Sequence, residues 1–422
     1  MSTIDRWRLL RAAAVGTLIA AGAIGSSALA DPAPPYADLL GQAKAAAPRL
    51  AQSAAQTDRA QGLARQAKAR PNPTLGLLTE NVGGSGPYKD FDRAETTLSL
   101  SQPLELGGRR DARIGAGAAE LEAARTRQTQ SQAQFAYALA LAYVEAEASQ
   151  VGVTLAEDEV EEAEADAKAA QALVEAGKEA RLRALRSQAS LDAMRAELTS
   201  AKAGRDAAMG KLTALAAAPV PITTIEAGVL ETADRPPVGP DIDVLSSPDY
   251  LVAKAERDAI AKAVRVEKTR AVPEVTAVLG VRRFAGDDAT AFTGGLSMPL
   301  PLFDRNRGNV DAAQASLREA DARLEAARLD VQAEAMSARG QVLAASQRLA
   351  ATKTALATAE EAYRLTRIGY DSGKADLTEL LTARHDVGAA RASVLEARLA
   401  RVRADAALAR LSGRVPFGDT QP

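Results

Sequence analysis

Hydrophobic residues recur every seven positions along two long tracts of this chain. Leu317, Leu324 and Val331 form one series, Leu349, Leu356, Tyr363 and Tyr370 a second, and Leu380, Val387 and Val394 a third. The earlier tract gives Leu191, Leu198 and Leu212, with Arg205 interrupting the series. A seven-residue apolar repeat is the seam of a coiled coil. Tyr363 and Tyr370 are read as part of that seam, because a stripe at helical spacing is ordinarily core. Neither tract contains proline, from Pro103 to Pro219 or from Pro301 to Pro416, and each has one obvious interruption, at Gly177 and at Gly373. Each tract therefore predicts two long helices joined by a short turn. The first helix, from about Gly108 to Val174, would reach roughly 100 Å at 1.5 Å per residue.

Four segments switch to a period of two. They lie near Thr74 to Val82, Glu95 to Gln102, Val275 to Arg283 and Ala291 to Met298. Leu98 and Leu100 alternate with Thr97, Ser99 and Ser101, and Phe292, Leu296 and Met298 alternate with Thr293, Gly295 and Ser297. The first segment alternates poorly. Gly83-Gly84-Ser85-Gly86-Pro87 and Ala285-Gly286-Asp287-Asp288 are turn-forming loops, and Tyr88, Phe91, Phe284 and Phe292 sit beside them. Two β-hairpins follow, and two readings fit them. They are small soluble hairpins capping a helical bundle, or membrane strands edged by boundary aromatics. In the second case four strands cannot close a barrel, so several copies must close it together.

The chain is written twice. Pro48 and Pro73 recur as Pro248 and Pro273, shifted by 200. Pro103 recurs as Pro299, and the Gly177-Lys178 tip as Gly373-Lys374, both shifted by 196. The four-residue difference belongs to a longer first hairpin loop. The organisation predicted is a first repeat over residues 31–218, with its hairpin at about 73–103, and a second over 246–413, with its hairpin at about 273–299. A proline-rich linker, 219–245, joins them, and 414–422 form a tail.

Composition narrows the function classes. Aromatics are only 3%, cysteine is absent and there is one histidine, while alanine is the commonest residue. This is the composition of long, close-packed helices. Absent cysteine excludes disulfide scaffolds, thiolate metal sites and an acylated cysteine anchor. With His385 alone, no histidine-based catalytic set is available, and no enzyme, cofactor or metal site is expected. The 52 basic and 54 acidic residues nearly cancel, so nothing points to nucleic acid. At the start, Arg6, Arg8 and Arg11 precede an apolar stretch from Ala12 to Ile24, then Ala28-Leu29-Ala30. That is a secretory signal peptide over residues 1–30, cleaved after Ala30; the alternative is an uncleaved anchor.

The duplicated plan of helix, hairpin and long helical hairpin, over about Tyr36 to Gly413, resembles the TolC-like outer-membrane efflux factors. Ser101-Gln102-Pro103-Leu104-Glu105-Leu106-Gly107-Gly108-Arg109-Arg110 and Met298-Pro299-Leu300-Pro301-Leu302-Phe303-Asp304-Arg305-Asn306-Arg307-Gly308 are similar to the cobalt–zinc–cadmium resistance branch. The resemblance implies a mainly α fold with a small β part. It implies a homotrimer in the outer membrane, with a twelve-stranded β-barrel and a helical tunnel through the periplasm. It implies docking onto a periplasmic adaptor and an inner-membrane pump of the RND type, and passive exit of heavy-metal cations. A duct for drugs or secreted polypeptides has the same fold. A periplasmic coiled-coil scaffold without a pore is the alternative of another class.

On this resemblance the tips, Gly177, Lys178, Gly373 and Lys374, face the adaptor; otherwise the glycines merely end helices. Asp376, Glu379 and Asp386 follow the second tip at spacings of three and seven, on one helix face. Ala180 and Arg183 occupy the first two equivalents in the other repeat. The resemblance implies an acidic ring at the tunnel entrance, with Glu379 one position of it and Thr382 at the next. The plain alternative is a solvated helix face.

Overall fold

The computed structural model describes residues 31–236 and 242–417. The signal segment, Pro237 and Pro240 of the linker, and the last five residues of the tail lie outside the described residues. The described residues begin with β1 (Asp31–Ala33), α1 (Tyr36–Ala46) and α2 (Pro48–Gln66). The first hairpin is β2 (Thr74–Glu80) and β3 (Glu95–Leu104), followed by α3 (Arg109–Glu175) and α4 (Arg181–Ala216). After β4 (Ile222–Ile225) the plan recurs as α5 (Pro248–Arg270), β5 (Val275–Phe284), β6 (Ala289–Ser297), α6 (Arg307–Asp371) and α7 (Leu377–Leu411). The loop between β2 and β3 spans 81–94 and that between β5 and β6 only 285–288, so the extra residues of the first repeat do fall there.

The strand-to-helix junctions explain the two motifs. Gly108 precedes α3 at φ 74° and Asn306 precedes α6 at φ 56°, so both junctions turn through the left-handed region. Asn306 tolerates that region better than most residues, and its amide donates to the Glu267 carbonyl at 2.8 Å. Gly107 has a second constraint, because a Cβ there would lie 2.7 Å from Val272 Cγ1. The arginines that follow cap neighbouring helices. Arg109 donates to the carbonyls of Thr269, Arg270 and Val272 at the end of α5, and pairs with Glu274. Arg113 donates to those of Ala67 and Ala69 after α2. Helix C-termini carry unsatisfied carbonyls and partial negative charge, which a guanidinium fork matches well. Arg109 thus ties the first repeat to the second.

The long helices are antiparallel hairpins, α3 on α4 and α6 on α7, joined side by side through α3 and α7. Their seams follow the heptads: Leu191, Leu212, Val331, Leu349, Leu380, Val387 and Val394 are buried, and Ala156, Ala163 and Ala170 continue the spacing on α3. Tyr363 and Tyr370 are only half-buried. The series on α7 runs on through Arg401 to Leu408. Arg401 is 2% exposed and is the repeat equivalent of Arg205. Its Nε donates to Ser346 Oγ at 2.7 Å, and it pairs with Asp405 one turn on.

The larger of two cores among the described residues sits halfway along α3, around Phe135, Leu139, Tyr143 and Val144, where α1, α4, α7 and the linker converge. The linker is not a loose connector. Ile222, Ile225, Leu230 and Ala233 are buried, and β4 pairs in parallel with β1. Three α3 side chains stitch it down. Tyr143 Oη donates to the Ala227 carbonyl at 2.7 Å, and Gln150 exchanges two hydrogen bonds with the Ile225 backbone. Between them the buried Glu147 carboxylate accepts from the N–H groups of Val229 and Leu230, at 2.7 and 3.1 Å. The carboxylate fills the space where a Cβ on Gly228 would stand.

Burial raises the Glu147 pKa, against the two backbone donors that lower it. A raised native pKa means the ionised form costs stability, and the cost fades as pH falls toward the unfolded value. Glu147→Ala strands two buried donors and should lose about 2 kcal/mol or more, seen as a lower melting temperature. Acidification from neutral pH should stabilise the wild type relative to Glu147→Gln; a pH-independent difference would place the carboxylate in an ordinary solvated setting.

Candidate functional site

The four long strands form one antiparallel sheet in the order β2-β3-β5-β6. The hairpins of the two repeats therefore lie edge to edge, joined by β3 and β5. The register sorts the side chains cleanly. Leu75, Leu77, Leu98, Leu100, Leu279, Val281, Phe292 and Leu296 fall on one face. All eight are exposed. The other face carries Thr74, Gly76, Ser99, Ser101, Thr276, Gly280, Thr293, Gly295 and Ser297, with Leu78, Val278 and Phe284 as its large apolar exceptions. Leu78 next to Leu77 is why β2 alternates poorly in sequence. An apolar face turned outward and a polar face turned inward is the pattern of a membrane barrel strand.

The aromatics divide. Phe292 lies on the apolar face, 89% exposed, while Tyr88 and Phe91 are exposed in the loop 81–94. Phe284 pairs with Glu95 and so belongs to the polar face, apart from Phe292. Among the described residues no helix is long and apolar enough to cross a membrane.

At the far end, both helical hairpins turn in the same way. Gly177 at φ 70° and Gly373 at φ 74° occupy the left-handed position. Lys178 N–H reaches the Leu173 carbonyl at 2.9 Å, and Lys374 N–H reaches that of Gly369 at 2.7 Å. With the bonds from Gly177 to Val174 and from Gly373 to Tyr370, these are Schellman caps, which favour glycine. Both lysines are exposed.

Residues 39–218 and 244–414 match the family described as outer membrane efflux protein. The chain belongs to that family. It is 40% identical over 415 residues to the nickel-cobalt-cadmium resistance protein NccC of Alcaligenes xylosoxydans xylosoxydans, covering 98% of this chain and 94% of the relative. It is 38% identical over 293 residues to the nickel and cobalt resistance protein CnrC of Cupriavidus metallidurans, covering 69% of each. A solved structure of CusC shares the fold, with a TM-score of 0.77 and 16% identity, covering 90% of this chain and 92% of that one. The protein is an outer-membrane efflux channel, a transport component.

In this efflux channel two of the acidic residues after the second tip have a local role that differs from a shared helix face. Asp376 precedes α7 in extended backbone, so it is the N-cap and does not share a helix face with Glu379. Glu379 N–H donates to Asp376 Oδ1 at 2.8 Å, and Asp376 N–H donates to Glu379 Oε2 at 3.3 Å. This reciprocal capping box satisfies two of the free N–H groups at the helix start. The signal was present in the sequence, as aspartate three residues before glutamate ahead of an apolar heptad. Asp386 is exposed two turns further on, beside a groove lined by Ala355, Ala359, Ala362 and Ala383. His385 and Thr382 face a larger groove between the two tips. The first tip has no such box: Ala180 is its N-cap, and Arg183 pairs with Glu179 and lies 5.2 Å over the Tyr370 ring. Among the described residues no cluster of potential ligands is grouped to hold a metal ion.

Asp376→Ala should cost the start of α7 about 1 kcal/mol. Amides over 377–380 should then exchange roughly fivefold faster by hydrogen-exchange mass spectrometry. Unchanged exchange there would mean that the box does not hold the helix start.

Proposed function

We infer that three copies of this chain close a twelve-stranded barrel and a helical tunnel, forming a passive exit duct for heavy-metal cations. The observation that carries the assembly is the sheet itself. It has an exposed apolar face, yet β2 and β6 are its edges, with no further strand paired to either among the described residues. An open edge in lipid is not tolerated, so β6 of one copy must pair with β2 of the next. Similarity to two nickel and cobalt resistance proteins supports the cation cargo. The sequence pattern supports export by a signal peptide cleaved after Ala30, without lipidation, as the chain has no cysteine.

The helices of about 100 Å, at 1.5 Å per residue, carry the tunnel away from the membrane. Their Gly177-Lys178 and Gly373-Lys374 tips meet a periplasmic adaptor, which couples the duct to an RND-type inner-membrane pump. Threefold symmetry brings three Glu379 side chains around the entrance. Close carboxylates repel unless cations or protons intervene, so the ring favours cations. Tyr88, Phe91 and Phe292 lie at the membrane boundary.

Purified protein in detergent should run as a trimer in native mass spectrometry; a monomer would remove the assembly. Deleting the gene should sensitise the cell to nickel, cobalt, cadmium or zinc. Unchanged metal tolerance with lost drug tolerance would reassign the cargo. Glu379→Ala should relieve block of single-channel conductance by divalent cations, and unaltered block would leave Glu379 as a capping residue alone.

A further inference from the structure

One layer of the sheet's polar face is charged. Arg282 on β5 stands opposite Thr97 on β3, and its Nε donates to Thr97 Oγ1 at 2.8 Å. Nη1 donates to Glu95 Oε2 at 2.9 Å, and Nη2 reaches across β3 to Glu80 Oε2 on β2 at 3.2 Å. Asn81 Nδ2 donates to the other Glu95 oxygen at 3.2 Å. A single guanidinium thus binds two carboxylates and joins three strands drawn from both repeats. The remaining charged strand residue, Arg283, falls on the opposite face and pairs with Asp288. Every other strand position on the polar face is uncharged.

The rung lies at the loop end of the strands, away from the helices, and so at the outer mouth of the barrel. Two carboxylates against one guanidinium leave one negative charge per subunit. The loops beyond it do not offset this: Lys89 and Arg93 balance Asp90 and Asp92, while Asp287 and Asp288 stand against Arg283. Building on the trimeric duct inferred above, we propose that the Arg282–Glu95–Glu80 rung sets the charge selectivity of the barrel's outer mouth. Three copies form a ring with a net charge of about −3 facing the bore, and its field enriches cations there. The hydrogen bonds hold the carboxylates in place, so the ring keeps its position when ions pass. At physiological salt the field decays over about 8 Å, short against a wide bore, but at 0.01 M it extends about 30 Å. Low salt is where the selectivity is read.

The test is the reversal potential of the purified full-length channel in planar bilayers, under a potassium chloride gradient near about 0.01 M. The wild type should prefer cations. Glu80→Gln brings the ring to neutral and should lower the potassium-to-chloride permeability ratio roughly twofold, whereas Arg282→Gln leaves both carboxylates unopposed and should raise it. The Glu80→Gln/Glu95→Gln pair should lower the ratio further than Glu80→Gln alone. The opposite signs separate this role from a mere staple. Loss of a staple would lower the melting temperature in both single variants and leave the reversal potential where it was. Conducting channels with unaltered reversal potentials in both single variants overturn the proposal and spare the duct. Absence of any wild-type conductance overturns the duct and the proposal together.

Discussion

The unpaired outer edges of β2 and β6 are the constraint on which everything else hangs. A soluble protein would cover such edges or blunt them with charge. Here the edges flank a sheet whose outward face is leucine, valine and phenylalanine, so the medium around it offers no hydrogen bonds. Only another sheet edge can satisfy both. In the inferred assembly each copy supplies four strands and receives one pairing on each side. That requirement also explains the internal pairing of β3 with β5. The two hairpins must sit side by side in one sheet, so the two repeats cannot fold as independent units. Arg109, from the first repeat, closing the end of α5, from the second, secures that union at the base of the sheet.

Below the sheet the problem is reversed. The helices are long and their seams are thin, because alanine supplies little apolar area per residue and helical hairpins bury only one stripe. Surface ion pairs between the helices, such as Arg195 with Glu164 and Lys202 with Glu157, add little each. Stability therefore concentrates where the chain crosses itself, at mid-height on α3. There Tyr36 stacks edge-on against both Tyr143 and Phe417, bringing the two ends of the described chain together. The linker wraps the same point, held by Tyr143, Glu147 and Gln150. A wall of poor intrinsic core is cinched by one rich knot.

Much of this was legible in the sequence because it is local or repeated. Heptads and proline-free tracts gave the helices and their tips, and the period of two gave the strands, within a few residues. Contacts between distant segments were not legible. Nothing in the residues near Glu147 announces a clamp on Val229, and nothing near Arg282 announces Glu80, some two hundred residues away. Arg401 falls between these cases. Arg205 is visible as a break in a heptad series, and the repeat offset carries it onto Arg401. Only the fold shows that the second copy is fully buried, with Ser346 and Asp405 as partners and burial pushing its pKa down. A polar group at a seam position costs stability but fixes the register of the helices around it. Its recurrence at the same level in both repeats fits that use.

The two repeats do the same structural work, so the places where they differ are informative. At the tips the first repeat has a neutral cap and a guanidinium held by Glu179 and Tyr370, while the second has two carboxylates. Those carboxylates are not free charges awaiting ions. Asp376 accepts the Glu379 N–H of the first turn of α7, and Glu379 accepts the N–H of Asp376 at the N-cap. A cation drawn to Glu379 would compete with the Asp376 N–H for the same oxygens. Ion binding and the integrity of the helix start are then coupled, and by linkage each weakens the other. The residue whose charge would draw cations to the inferred entrance is also one that caps its helix, so an ion there acts on the tip's structure as well as on its field.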